Sequence, residues 1–262
     1  RHEYEILGHL RDVMPAMSDD ETAGIWYTVP RVLVFDESNA ALIMERARGR
    51  SLESVVRSSR ARTLGRGLLT PLRRAGRWLA TMQQATKSGE DGSHVLTAIV
   101  VLASQDLELA ATIDRKLRRH REDILRTLRT LETRIASKPT AVVGHHGDYW
   151  PGNIFVGKRR IDVIDFEGFR EGLPLEDVAY FLVHLRMYFD YPFFRRAIPR
   201  LEHSFVRGFT DGGGEADPDT LRLMTMTKAL QVLARGGAAA APGLRAHWHR
   251  KRLRDLILEN VA

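Results

Sequence analysis

Residues 145–168 read HHGDYWPGNIFVGKRRIDVIDFEG, and it is here that the periodicity of the chain changes. The three- and four-residue spacing of apolar side chains upstream disappears. Two short runs rich in β-branched and aromatic residues, Ile154–Val156 and Ile161–Ile164, replace it on either side of Gly157-Lys158. That pattern predicts a tight hairpin. One carboxylate, Asp148, lies in the Gly- and Pro-containing loop ahead of the hairpin. A carboxamide, Asn153, closes the loop where the first strand starts, and a second carboxylate, Asp165, ends the second strand. The turn brings the start of one strand beside the end of the other, so Asn153 and Asp165 can converge. An amide oxygen and a carboxylate are hard donors suited to Mg²⁺ among nucleotide phosphates. Asp148 is left to take a proton from an incoming hydroxyl.

Upstream, Tyr4, Leu7 and Leu10 fall at helical spacing. Val32–Phe35, Asp36–Asn39 and Ala41–Met44 read as strand, turn and strand. Glu45–Gly49 is a polar link. Pro71 suits the first turn of a helix running to about Thr86, and Thr86–Ser93 is a loop. From Gln105 to Ser137 there is neither Pro nor Gly, and apolar residues from Leu107 to Ile135 recur at helical intervals. One long amphipathic helix, or two in series, is expected there. Pro174 opens a further helix with Leu175, Val178, Ala179, Leu182 and Leu185 on one face. Gly212–Gly214 is a loop, and two or three helices finish the chain.

The 262 residues suffice for one large domain or two lobes. With no cysteine, disulfides, thiolate metal sites and a cysteine nucleophile are excluded, and a reducing cytoplasm is the expected compartment. No run of eighteen apolar residues occurs, so no membrane span is expected. The net charge of +7, mostly arginine, fits solvated helix faces. It disfavours tight capture of a polycation. The basic run His247–Arg252 reads as part of a helix with one solvated face, and nucleic acid is not an expected partner. The acidic residues Asp211, Glu215, Asp217 and Asp219 fit a solvated loop and an Asp-Pro helix start. They could equally greet a cationic substrate.

The loop His146-Gly147-Asp148 with Asn153, followed by Ile164-Asp165-Phe166-Glu167, resembles the catalytic and metal-binding loops of the aminoglycoside phosphotransferase and choline kinase family. These share the protein-kinase fold and its Asp-to-Asn spacing. The resemblance implies an α+β, bilobal protein-kinase-like fold. Residues 1–46 would be the remainder of a small β-sheet N-terminal lobe whose start looks truncated, and 47–262 a mainly helical C-terminal lobe. By the same resemblance Asp148 is the catalytic base, and His146 braces its loop. Asn153 and Asp165 hold Mg²⁺, and Asp177 supports the loop from the helix after Pro174. Met44, Glu45, Arg46 and Ala47 would form the hinge that receives the adenine of ATP. Glu3, with Glu5 as the alternative register, matches the helix glutamate that pairs with the ATP-binding lysine. The Gly-rich loop and lysine-bearing strand of the family would precede Glu3, and the intact metal loop favours their lying upstream of Arg1.

The resemblance implies an ATP-dependent kinase acting on a hydroxyl of an antibiotic, sugar or metabolite. The competing expectation is a catalytically inactive, kinase-like protein that binds nucleotide or a partner. A metal-dependent hydrolase built on His145, His146 and Asp148 leaves the hairpin ending in Asp-Phe-Glu unexplained. Trp150 either supports the loop or stacks on a substrate ring.

Overall fold

The computed structural model describes residues 2–14, 26–39, 41–59, 66–138, 141–188, 196–235 and 244–261. The N-terminal helix α1 (His2–Val13) turns Leu7 and Leu10 into the core. Strand β1 (Trp26–Thr28) follows, and then a hairpin of β2 (Val32–Asp36) and β3 (Ala41–Met44). Asp36 ties the hairpin turn. Its carboxylate accepts hydrogen bonds from Ser38 N at 3.0 Å and Asn39 Nδ2 at 2.7 Å, an arrangement short polar side chains favour in turns. Tyr4 is partly exposed and stacks on Phe35 with ring centroids 5.1 Å apart. This clamps α1 onto the hairpin.

After the polar link come β4 (Arg50–Ser51), α2 (Leu52–Ser59) and α3 (Leu69–Ala85). The expected long helix over 105–137 differs in its bounds. It begins earlier, as α4 (Ser93–Ile113), and breaks twice, into α5 (Arg115–Arg119) and α6 (Arg121–Ala136). Asp114 explains the first break. Its backbone is extended and its side chain caps α5, accepting from Lys116 N at 2.8 Å and Leu117 N at 3.2 Å. By length and composition α4 is long and apolar enough to cross a bilayer. However, Leu96, Val100, Ala103, Leu107 and Ala110 face the protein core, and buried Asp106 pairs with Arg235 at 2.6 Å.

The remaining elements are β5 (Val143–His145), β6 (Ile154–Val156), β7 (Arg160–Val163), β8 (Arg170–Gly172), α7 (Leu175–Tyr188), α8 (Ile198–Asp211), α9 (Pro218–Arg235) and α10 (Leu244–Glu259). A four-stranded sheet runs β1-β7-β6-β4, with β1 parallel to β7 and the other pairs antiparallel. β5 and β8 make a separate ribbon. Residues 26–28, on the N-terminal side of the expected boundary at 46/47, therefore pair with the β6–β7 hairpin.

Fully buried Trp78, Tyr149, Phe166, Phe181, Phe205 and Phe209 centre the helical core. Trp78 stacks on Tyr149 at 5.8 Å, and Phe181 on Phe205 at 3.9 Å. The backbones of α3 and α8 touch. A Cβ on Gly208 would stand 1.9 Å from the Arg73 carbonyl oxygen, so only glycine fits there.

Candidate active site

The loop 146–153 leaves β5 and enters β6, with buried groups fixing it from below. Asp177, in the first turn of α7 and fully buried, accepts from His146 N at 2.8 Å and Gly147 N at 3.1 Å. Gly147 has φ +86, and a Cβ on it would lie 2.2 Å from the Gly168 carbonyl oxygen. A side chain there would part the two loops. His146 is committed to the loop. Its Nδ1 accepts from Asp148 N at 3.3 Å, which leaves Nε2–H to donate to Ile164 O at 3.1 Å. That arrangement requires a neutral imidazole, and burial holds the ring down at about 4. With both nitrogens occupied His146 has no lone pair for a metal, so the geometry is that of a brace.

Asn153 and Asp165 come together as the hairpin predicts, and Asp148 joins them. Asn153 Nδ2 donates to Asp148 O at 3.1 Å and Asp148 Oδ2 at 3.0 Å, and lies 3.4 Å from Asp165 Oδ2. The amide nitrogen is thereby used within the loop, and Oδ1 remains as the free donor atom. Asp165 has φ +71, in the left-handed region that residues other than glycine rarely occupy. Its carboxyl is exposed, with its pKa raised by partial burial and by the charges of Asp148 and Glu167. A cation would relieve that repulsion. Among the described residues no three His, Cys, Asp or Glu side chains come together as a metal cage. One amide oxygen and one carboxylate are instead a donor set that fits Mg²⁺, which keeps waters and substrate oxygens in its shell.

Glu3 reaches this loop: its Oε1 accepts from Phe166 N at 3.1 Å, next to Asp165. The resemblance assigns Glu3 to an ATP-binding lysine; the contact the structure gives it is with the backbone beside Asp165. The Met44–Ala47 stretch runs out of β3 with Glu45 N bonded to Arg31 O at 2.8 Å and Glu45 paired with Arg31 at 3.2 Å.

Two residues at the site escape a sequence reading. Fully buried Asp162 on β7 accepts from Arg48 N at 2.8 Å and from Thr28 Oγ1 and Arg160 Nε, each at 2.6 Å. It thus joins the link after β3, strand β1 and the β6–β7 hairpin. Tyr180 on α7 donates to Asp148 Oδ1 at 3.0 Å. The alternation in Ile161-Asp162-Val163 was the one signal for Asp162, since it turns a charge inward. Tyr180 left none.

Behind the loop, Glu176 accepts from Arg170 at 2.7 Å, Lys228 at 2.9 Å and Leu173 N at 3.1 Å. His145 Nε2 lies 3.3 Å from Asp177 and 3.5 Å from Glu176. His145 is therefore a buried support, held neutral by desolvation with its pKa down at about 3. Two of the acidic residues at the end of α8 and beyond it are structurally occupied. Asp217 caps α9 through Thr220 N at 2.9 Å and pairs with Lys138, and Asp211 pairs with Arg73, each pair at 2.6 Å.

The model of the family described as "Phosphotransferase enzyme family" matches residues 2–224. Three solved structures are similar. One is a glucosamine kinase in complex with glucosamine, ADP and inorganic phosphate, at 18% identity and TM-score 0.61 over 80% of this chain and 60% of that one. The second is a choline/ethanolamine kinase family protein from Mesorhizobium loti, at 17% identity and TM-score 0.60 over 98% and 81%. The third is a thermostable mutant of an aminoglycoside phosphotransferase, at 17% identity and TM-score 0.56 over 96% and 82%. The chain spans about three fifths of the glucosamine kinase's own length. A search of curated proteins by sequence found no match. At these identities the solved structures establish the fold: α+β, with a small sheet region and a large helical one.

Proposed function

We propose, for a chain that belongs to the phosphotransferase enzyme family, that it transfers the γ-phosphate of ATP to a hydroxyl of a small molecule. The observation that carries this is the convergence of Asp148, Asn153 and Asp165 within hydrogen-bonding reach of one amide nitrogen. The acceptor oxygen attacks the γ-phosphorus, the bond from that phosphorus to the ADP oxygen breaks, and ADP departs with the electron pair. Asp148 receives the hydroxyl proton. Asn153 Oδ1 and the Asp165 carboxylate would hold Mg²⁺, which when bound offsets the negative charge of the phosphates. His146 and Asp177 keep the loop in register, Glu3 anchors the backbone after Asp165, and Met44–Ala47 would border the adenine. Phosphoryl transfer depends chiefly on positioning and electrostatics. This loop is built for both, with its carboxylate, amide and backbone each held by a named partner.

The test is ADP release from Mg-ATP across aminoglycosides, amino sugars, neutral sugars and choline-like alcohols, with Asp148→Asn as control. Acceptor-dependent release that falls at least 100-fold in kcat in the variant, the size of a general-base contribution, is the expected result. Near-normal turnover by Asp148→Asn would overturn the assignment. Tight Mg-ATP binding with no release for any acceptor would favour a nucleotide-binding protein without transfer.

A further inference from the structure

The Asp148 carboxylate has two sides. Oδ2 turns to Asn153 and, through it, to Asp165. Oδ1 turns the other way and accepts the Tyr180 hydroxyl at 3.0 Å. A hydroxyl acceptor must approach Asp148 away from the metal-binding pair, which is the side of α7. One turn beyond Tyr180, the His184 ring stands 4.5 Å from the Tyr180 ring and 5.9 Å from the indole of Trp150. Trp150 is half-buried, and its ring lies over Gly152, where a Cβ would come within 2.3 Å of it. Three rings, from a loop and a helix, thus form one wall beside the proposed base.

The chemistry of that wall is specific. His184 Nε2 is buried and has no hydrogen-bond partner among the described residues. Burial, assisted by the charge of His249, outweighs the attraction of Asp148 and keeps the imidazole neutral with its pKa down at about 4. A site that selects an ammonium group over a neutral ring needs a free carboxylate turned towards it. Among the described residues the one carboxylate acting on His184 is Asp148, already bonded by Tyr180 and Asn153. The wall offers a flat indole for the C–H face of a saturated ring and a neutral imidazole nitrogen for a hydroxyl. Neutral polar ligands are recognised in this way, by apolar area with a few placed hydrogen bonds.

We propose that Trp150, Tyr180 and His184 form the acceptor subsite, and that it takes an uncharged hydroxylated ring such as a pyranose without a free amino group. The ring stacks on Trp150 and bonds to His184, while Tyr180 acts as a positioning residue that orients Asp148. This rests on the kinase reading above.

The experiment is calorimetry on the full chain saturated with Mg-ADP, titrating D-glucose, N-acetylglucosamine, glucosamine and choline. The neutral sugars should bind at least fivefold more tightly than glucosamine or choline. Trp150→Ala should weaken them about tenfold, and His184→Glu should reverse the preference towards glucosamine. Should that buried glutamate disturb folding, His184→Gln serves in its place and should retain the neutral preference. Tyr180→Phe should lower kcat about tenfold with the acceptor KM within twofold, a split that general loosening of the fold would not give. Glucosamine or choline binding as tightly as the neutral sugars, or no binding of either neutral sugar, would overturn the proposal. Neutral-sugar binding without ADP release from Mg-ATP would support the subsite and retire the transfer reading. Release driven by glucosamine or choline alone would do the reverse.

Discussion

Asp165 holds its carboxylate out from a backbone conformation that side-chain-bearing residues avoid, at φ +71. Such a conformation costs on the order of 1–3 kcal/mol and persists where neighbouring contacts impose it. Here Glu3 holds the next amide, Phe166 N, and the buried Phe166 ring packs 4.5 Å from His146. Glycine accepts this backbone without strain. Asp165→Gly should therefore stay within about 1 kcal/mol of the parent in urea unfolding, yet lose Mg-dependent nucleotide binding in calorimetry. Asp165→Ala should lose the same binding. Unchanged nucleotide affinity in either would contradict the metal role. Asp148, Asn153 and Asp165 were legible because a hairpin of fixed length brings them together, so spacing alone sets their geometry. Asp162 and Tyr180 were not. Asp162 meets Arg48 from 114 residues away and Thr28 from 134, and Tyr180 meets Asp148 across 32, so their partners are decided by packing.

Among elements, the main helices were legible and half of the strands were not. Pro71 placed α3, and periodicity placed the end of α6 and α7, whose buried stripe is Leu175, Val178, Ala179, Leu182 and Leu185. The break at Asp114 was missed because its capping role depends on an extended backbone that the apolar period does not report. Strands β1, β4, β5 and β8 have two or three residues each and pair at long range, so no alternation can build up within them. The union of α3 and α8 was invisible for a related reason. It depends on Gly208, whose missing side chain lets the Arg73 carbonyl approach. Gly208→Ala should push these helices apart and destabilise the protein by about 1–3 kcal/mol, the range for overpacking. Urea unfolding with an unshifted midpoint would show that α8 can slide without cost.

Across the whole molecule, the acid response should follow the buried imidazoles rather than the surface charge of +7. Burial lowers His145 to about 3 and His146 and His184 to about 4, against an ordinary value of 6.5. Between pH 6.5 and about 4 these rings are neutral when folded and protonated when unfolded, so unfolding takes up protons and stability falls as the pH falls. Asp177 acts in the opposite sense. Its burial pushes the carboxyl up to about 7, so the folded state holds a proton that the unfolded chain releases. Glu176, held low among His145, Lys228 and Arg170, titrates below this window. Three protons gained against one lost leave a net uptake of about two, a slope of about 3 kcal/mol per pH unit near pH 5.5. Urea midpoints at pH 7, 6 and 5 should therefore drop steeply, and His184→Gln should remove about one proton from that uptake. A midpoint that is flat or rises on acidification would mean that the rings carry protons in the folded protein. Protonated His146 could not accept from Asp148 N, so the loop drawn around Asp148 would then need a different hydrogen-bond pattern.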